Sequence, residues 1–124
     1  MIEATIHGNT PSKSNCYKII TLGSKERRYS SLGKTKVLKT YEDQFFIQLP
    51  PKLRNLDIAG YFEFEIDVYY PSNRSDLDNS LKVVLDCLQK AKVIKNDNKC
   101  THIVARKFID KLNPRIEFKI TLAK

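Results

Sequence analysis

The sequence predicts one α/β domain of the α+β kind, a mixed β-sheet with two main helices packed on it. The chain has 124 residues, the length of a single domain. A chain of that size buries a little under ~70% of the surface its unfolded form exposes. Residues 61–70, YFEFEIDVYY, alternate Phe62, Phe64, Ile66, Val68 and Tyr70 with Glu63, Glu65 and Asp67, which is the period of a strand with one buried face. Leu77, Leu81, Val84, Leu85 and Leu88 recur at the spacing of an apolar helix stripe, and such a stripe has to pack on a sheet. There is no internal repeat or low-complexity segment, so the predicted domain runs over residues 1–124.

Taken in order, Ile2, Ala4 and Ile6 alternate with polar neighbours and predict a first strand that stops at Gly8. NTPSKSN reads as a loop. CYKIITL and YSS flank the turn signal GSKERR and predict a hairpin with a basic tip at Lys25, Arg27 and Arg28. From about Thr35 to Leu49, Leu38, Tyr41, Phe45 and Leu49 follow helical spacing with Val37 beside them, and Pro50 and Pro51 forbid continuation. The strand at 61–70 closes at Pro71, and SNRS leads into a second helix from near Asp76 to about Ala91. THIVARKF and RIEFKITL predict two strands joined by a tight loop at DKLNP, the second turning Ile116, Phe118 and Ile120 inward.

The chain carries 22 Lys plus Arg against 14 Asp plus Glu, a net charge of +8. That surplus fits a polyanion, although net charge of this size also serves plain solubility. Nucleic acid is favoured over a membrane, because no segment has the Trp- or Phe-rich amphipathic face of a membrane-surface helix. No run near ~20 apolar residues exists to span a bilayer, and MIEATIHGNTPSK lacks the basic and apolar regions of a secretory signal. A cytoplasmic location is expected, with no membrane partner and no small-molecule organic cofactor. Cys16, Cys87 and Cys100 are odd in number and form no C-x-x-C pair, which fits reduced thiols. Cys100 and His102 would share a face of a regular strand, yet two ligands cannot close a tetrahedral site. Glu63, Glu65 and Asp67 stand about 7 Å apart along their strand, a spacing better suited to a solvated face or cross-strand lysines than to one ion.

SDLDN puts Asp76 and Asp78 at the start of the second helix, and Ser75 and Asp78 form an S-x-x-D capping pattern. Each acid there gains about 0.3–1 kcal/mol from the helix dipole, yet two within one turn repel. Capping accounts comfortably for one, and a shared cation would relieve the repulsion between both. Lys82, four residues after Asp78, lies about 40° round the helix and one turn along, close enough either for a plain ion pair or to serve the same site. Asp97 in IKNDNK has no helix end to cap; it is a turn aspartate or a third ligand. The helix spans roughly 22 Å and the chain from Ala91 to Asp97 reaches at most about 20 Å. KVIKN must therefore run back extended, with Val93 or Ile94 buried, if Asp97 is to meet Asp76. Three such carboxylates would suit Mg²⁺ or Mn²⁺, hard ions that share phosphate oxygens, and the matching chemistry is phosphodiester hydrolysis with Lys82 adding positive charge or orienting water.

DLDNSLKVVLDCLQKAKVIKNDNK resembles the RusA family of Holliday-junction resolvases, whose signature is a D-x-D-N helix start, a lysine six residues after the first aspartate and an aspartate beyond the helix. The resemblance implies that Asp76, Asp78 and Asp97 bind Mg²⁺, with Mn²⁺ able to substitute, and that Lys82 is the catalytic lysine; Asn79 and Asp86 also match. It extends through the PSKSN loop and the order of strands. Asn96 stands where the family often has a further aspartate, and Lys92 replaces a glycine usual at the helix end, where a side chain resists the left-handed conformation. The family implies a small, Mg²⁺-dependent endonuclease, often phage- or prophage-encoded, that acts as a homodimer on four-way junction DNA. Two-fold symmetry suits paired nicks on a two-fold substrate. Lys13, Lys18, Arg28, Lys34, Lys36 and above all Arg74 are candidates for phosphate contacts. Two rivals stand beside this reading: a metal-dependent nuclease of other branched nucleic acid, and a non-catalytic basic DNA-binding protein whose acids only cap a helix.

Overall fold

The computed structural model describes residues 2–11, 17–22, 29–75 and 77–123, without the side chains of 17–22, 29–34 and Asn79. The alternation read at 61–70 builds the central strand. In chain order the elements are β1 (Ile2–His7), β2 (Tyr17–Leu22), β3 (Tyr29–Lys34), α1 (Lys36–Gln48), β4 (Phe62–Tyr70), α2 (Leu77–Lys90), β5 (Cys100–Ile109) and β6 (Arg115–Leu122). Four of the strands form a mixed sheet in the order β1-β6-β4-β5, in which only the β4–β5 pair is parallel. β2 and β3 pair antiparallel as a separate two-stranded sheet, the predicted hairpin, whose tip at Lys25, Arg27 and Arg28 lies outside the described residues.

The loop at 110–114 is short, but β5 and β6 are not neighbours: β4 lies between them. The connection crosses the end of β4, where the Asp110 amide donates to the Tyr70 carbonyl at 2.8 Å. Arg115 Nη1 holds the Asp110 carboxylate at 2.8 Å, closing the loop on itself, and this pairing pulls the Asp110 pKa below the usual carboxylate range.

One face of the sheet is the core. Phe62, Phe64, Ile66, Val68 and Tyr70 of β4 meet Ile116, Phe118 and Ile120 of β6 and Ile6 of β1, all buried. α1 starts where the Thr35 hydroxyl accepts the Leu38 amide at 3.3 Å, a side-chain N-cap. The helix ends before Pro50, and Arg54 Nη2 donates to the freed carbonyls of Ile47 and Leu49 at 3.2 and 3.3 Å. Leu38, Tyr41, Phe45 and Leu49 face the sheet as expected, with the Phe45 ring stacked on Phe118. Val37, grouped with them from sequence, is 57% exposed; at about 100° from Leu38 it falls to one side of the face that Leu38, Phe45 and Leu49 centre.

α2 buries Val84, Leu85 and Leu88 with Val83, Cys87 and Ala91, while Leu77 and Leu81 lie half-buried at the margin. Its first turn is pinned to the sheet where the Tyr70 hydroxyl donates to Ser80 Oγ at 2.6 Å, both residues being fully buried. Among the described residues, no helix is long and apolar enough to cross a membrane.

Candidate active site

Asp78 and Lys82 lie on α2, and the chain after the helix folds back against it. Ala91 ends the helix and Lys92 follows with φ 59°, in the left-handed region. The Lys92 amide donates to the Gln89 carbonyl at 3.1 Å and the Val93 amide to the Leu88 carbonyl at 3.0 Å, the paired bonds of a Schellman motif. Lys92 thus takes the conformation usually given to glycine, and the turn keeps its shape at a cost in backbone strain.

Beyond that turn Val93 and Ile94 are both fully buried, as an extended return requires. Their backbone is fixed by the 55–58 segment: the Asp57 and Ile58 amides donate to the Lys92 and Val93 carbonyls at 2.8 and 3.1 Å, and the Lys95 amide to the Ile58 carbonyl at 2.9 Å. A short 3-10 turn, Asp97–Lys99, then opens under a cap in which Asn96 Oδ1 accepts the Asn98 amide at 3.0 Å. An asparagine supplies that cap oxygen as well as an aspartate would, which is a physical reason for Asn96 to be tolerated beside the acid that follows.

Asp97 is held from α2 by two bonds. Its amide donates to Gln89 Oε1 at 3.1 Å, and its carboxylate accepts from Lys82 Nζ at 2.5 Å. The same ammonium lies 3.0 Å from Asp86 Oδ1, so one cation is shared by two carboxylates. Those bonds, to Asp97 first and then Asp86, raise the Lys82 pKa above the ordinary lysine value. Lys82 therefore turns toward the C-terminal end of α2. Sequence spacing alone allowed a pair with Asp78; the loop acid adds a second anion on the other side, and two attractions outweigh one.

Asp78 stands exposed in the first turn of α2 with no ion-pair partner among the described residues. It is about 12 Å along the helix axis from Asp86. Asp76 is outside the described residues, so the start of α2 and the Ser75 cap are not described. Among the described residues, no three His, Cys, Asp or Glu side chains converge as one ion site. Of the candidate phosphate contacts, Arg74 lies exposed in the turn before α2, and Lys36 is exposed at the start of α1. Lys13 and Arg28 fall outside the described residues, as do the side chains of Lys18 and Lys34.

The acids of β4 belong elsewhere. On the sheet face opposite the helices, Arg106 bonds Glu65 and Asp67, each at 2.7 Å, and His102 Nδ1 lies 3.4 Å from Glu63. A cross-strand arginine neutralises Glu65 and Asp67, in the role assigned to lysine. Cys100 and His102 do not share a face: a bulge at Thr101 pairs Cys100 with Phe62 and His102 with Glu63. The thiol packs against the core while the imidazole is exposed, and burial pushes the Cys100 pKa up.

Between residues 20 and 121 the chain matches the family model of endodeoxyribonuclease RusA. This chain belongs to the RusA family. The RusA match spans α2, the returning loop and Asp97, and with them every contact made by Lys82. The family is one of Holliday-junction resolvases, and membership makes the chain a nuclease. No curated protein matches it.

Several residues that shape this candidate site were not singled out from sequence. Asp86 was noted only as matching the family pattern, although its place four residues after Lys82 was a legible signal. Gln89 gave none, because its partner is a loop amide eight residues on. Tyr70 read only as an apolar strand position, and its bond to Ser80 exists only once α2 packs on β4. Lys107, whose Nζ lies 3.4 Å from the Asn73 carbonyl, stands beside the turn that carries Arg74.

Proposed function

We propose that this RusA-family nuclease resolves four-way DNA junctions by paired symmetric nicks. It works as a homodimer with Mg²⁺, which Mn²⁺ can replace. The observation that carries the reading is the match to endodeoxyribonuclease RusA over residues 20–121, which takes in Asp76, Asp78, Lys82 and Asp97. Carboxylate oxygens suit a hard divalent ion in chemistry and in sign. Asp76, Asp78 and Asp97 would hold it. When bound, such an ion supplies Lewis-acid charge to the scissile phosphate.

The chain's own residues do the rest. Lys82 places an ammonium where negative charge develops on the phosphorus oxygens, or orients the attacking water. Arg74, next to the acidic turn, and Lys13, Lys18, Arg28, Lys34 and Lys36 hold flanking phosphates. Two-fold pairing of subunits presents two equivalent sites to a two-fold junction, so that strands of like polarity are cut together. This activity suits DNA recombination and repair, including the processing of phage or prophage DNA.

The test compares a synthetic four-way junction with a linear duplex and a flap of the same sequence, with and without Mg²⁺. Paired nicks on the junction alone, dependent on the ion, are expected. Asp78→Asn should abolish cutting while leaving junction binding intact or tighter, because repulsion from phosphate falls. Cutting by Asp78→Asn at the wild-type rate would remove Asp78 from the site, and cutting without a divalent ion would remove the metal.

A further inference from the structure

We infer that Gln89 is a positioning residue for Asp97. The inference rests on the reading that Asp97 is an active-site carboxylate. Asp97 comes from a loop, whereas the other proposed groups sit at the start of and along α2, so it has to be referenced to that helix. Two bonds do this, and both partners belong to α2: Lys82 takes the carboxylate and Gln89 takes the backbone amide.

The two bonds are not equivalent in the reaction. Lys82 is the group that must turn toward the scissile phosphate, and the ammonium cannot keep its full contact with Asp97 while serving phosphorus. Gln89 has no such second duty. Its amide oxygen is neutral, does not compete for a cation, and holds the amide of the residue whose carboxylate is needed, so the bond persists while Lys82 moves. The neighbouring Asn96 cap fixes the Asn98 amide and shapes the 3-10 turn locally, but the turn is tied to the helix through Gln89. Gln89 is exposed and Asp97 half-buried, and the effect of the bond falls on where Asp97 stands.

Gln89→Met keeps an unbranched chain of similar length and removes the acceptor, while Gln89→Glu keeps an acceptor oxygen at the same reach. In metal-free protein, hydrogen exchange at the Asp97 amide is expected to accelerate about tenfold in Gln89→Met, the size of change that loss of one exposed hydrogen bond gives, and to stay near wild type in Gln89→Glu. In junction cleavage, Gln89→Met is expected to lower kcat at saturating Mg²⁺ by about tenfold. It should also raise the Mg²⁺ concentration for half-maximal rate and leave KM for the junction unchanged. Gln89→Glu should recover most of the rate. Wild-type exchange and cleavage in Gln89→Met, or equal loss of rate in both variants, would overturn the positioning role. Asp97→Asn is measured alongside: if it cuts normally, the active-site reading of Asp97 fails, whereas a dead Asp97→Asn beside a normal Gln89→Met rejects the role of Gln89 alone.

Discussion

Lys92 offers a direct measure of what the turn carrying Asp97 costs. Its φ of 59° is left-handed, a conformation that costs a residue with a Cβ about 1–2 kcal/mol. Glycine avoids that cost and gives up about 0.5–1 kcal/mol through its freer unfolded chain. The difference leaves glycine ahead by about 0.5–1 kcal/mol, equivalent to a melting temperature about 2–4 °C higher for a domain of this length. Lys92 is exposed, so no packing is lost on truncation, but its charge near the helix end is lost in any neutral substitution. The clean comparison is therefore Lys92→Gly against Lys92→Ala, which share the charge loss and differ only at the backbone. Thermal unfolding followed by circular dichroism, with urea titration as a second measure, reads the gap. If alanine is as stable as glycine, the left-handed strain assigned to this turn is not there. Because the Schellman bonds set the direction in which Val93 leaves the helix, a confirmed gap also shows that the path to Asp97 is maintained against a backbone penalty.

Tyr70→Phe should cost about 1–3 kcal/mol, since it strands a fully buried Ser80 hydroxyl; a double-mutant cycle with Ser80→Ala, read by urea unfolding, should show the two effects overlapping rather than adding. The Lys82 pairs should contribute to stability at neutral pH and lose that contribution in alkali. Its folded pKa is raised, so the contribution is complete below the ordinary lysine value of about 10.4 and disappears as pH rises through the folded one. With the side chain 44% exposed, solvent screening holds the size to about 0.2–1 kcal/mol, measured as the stability gap between wild type and Lys82→Met at pH 8 and again above the raised pKa. A gap that widened with pH would contradict the assignment. Asp110 runs the other way: its lowered pKa means that wild type should exceed Asp110→Asn above the ordinary aspartate range and lose the advantage as acid protonates it.

Local periodicity made much of this fold legible. Five apolar residues at period two specify β4, and the stripe from Leu77 to Leu88 specifies α2, because burial of one face is decided by residues that are neighbours on the element itself. Thr35 and the Pro50–Pro51 pair bounded α1 for the same reason. Val37 was misassigned because apolar character does not say which side of a helix a residue joins. The bulge at Thr101, which separates Cys100 from His102, is a property of pairing with β4 and leaves no trace in the spacing of those two residues.

The aspartates, the lysine and their order along the chain were determined by the sequence itself, as was the need for the loop after α2 to return with Val93 or Ile94 buried. What that loop meets was decided only by the tertiary structure. Pairing with residues 55–58 fixes the chain beyond Lys92, the 3-10 turn sets the direction of Asp97, and Gln89 and Lys82 receive it. A contact between a loop and a helix depends on where the backbone is carried by bonds to a third segment, and sequence spacing holds no record of that segment. The position of β4 between β5 and β6 has the same origin, since a five-residue loop can close a hairpin or cross one strand, and the choice is made by which apolar faces the whole sheet buries.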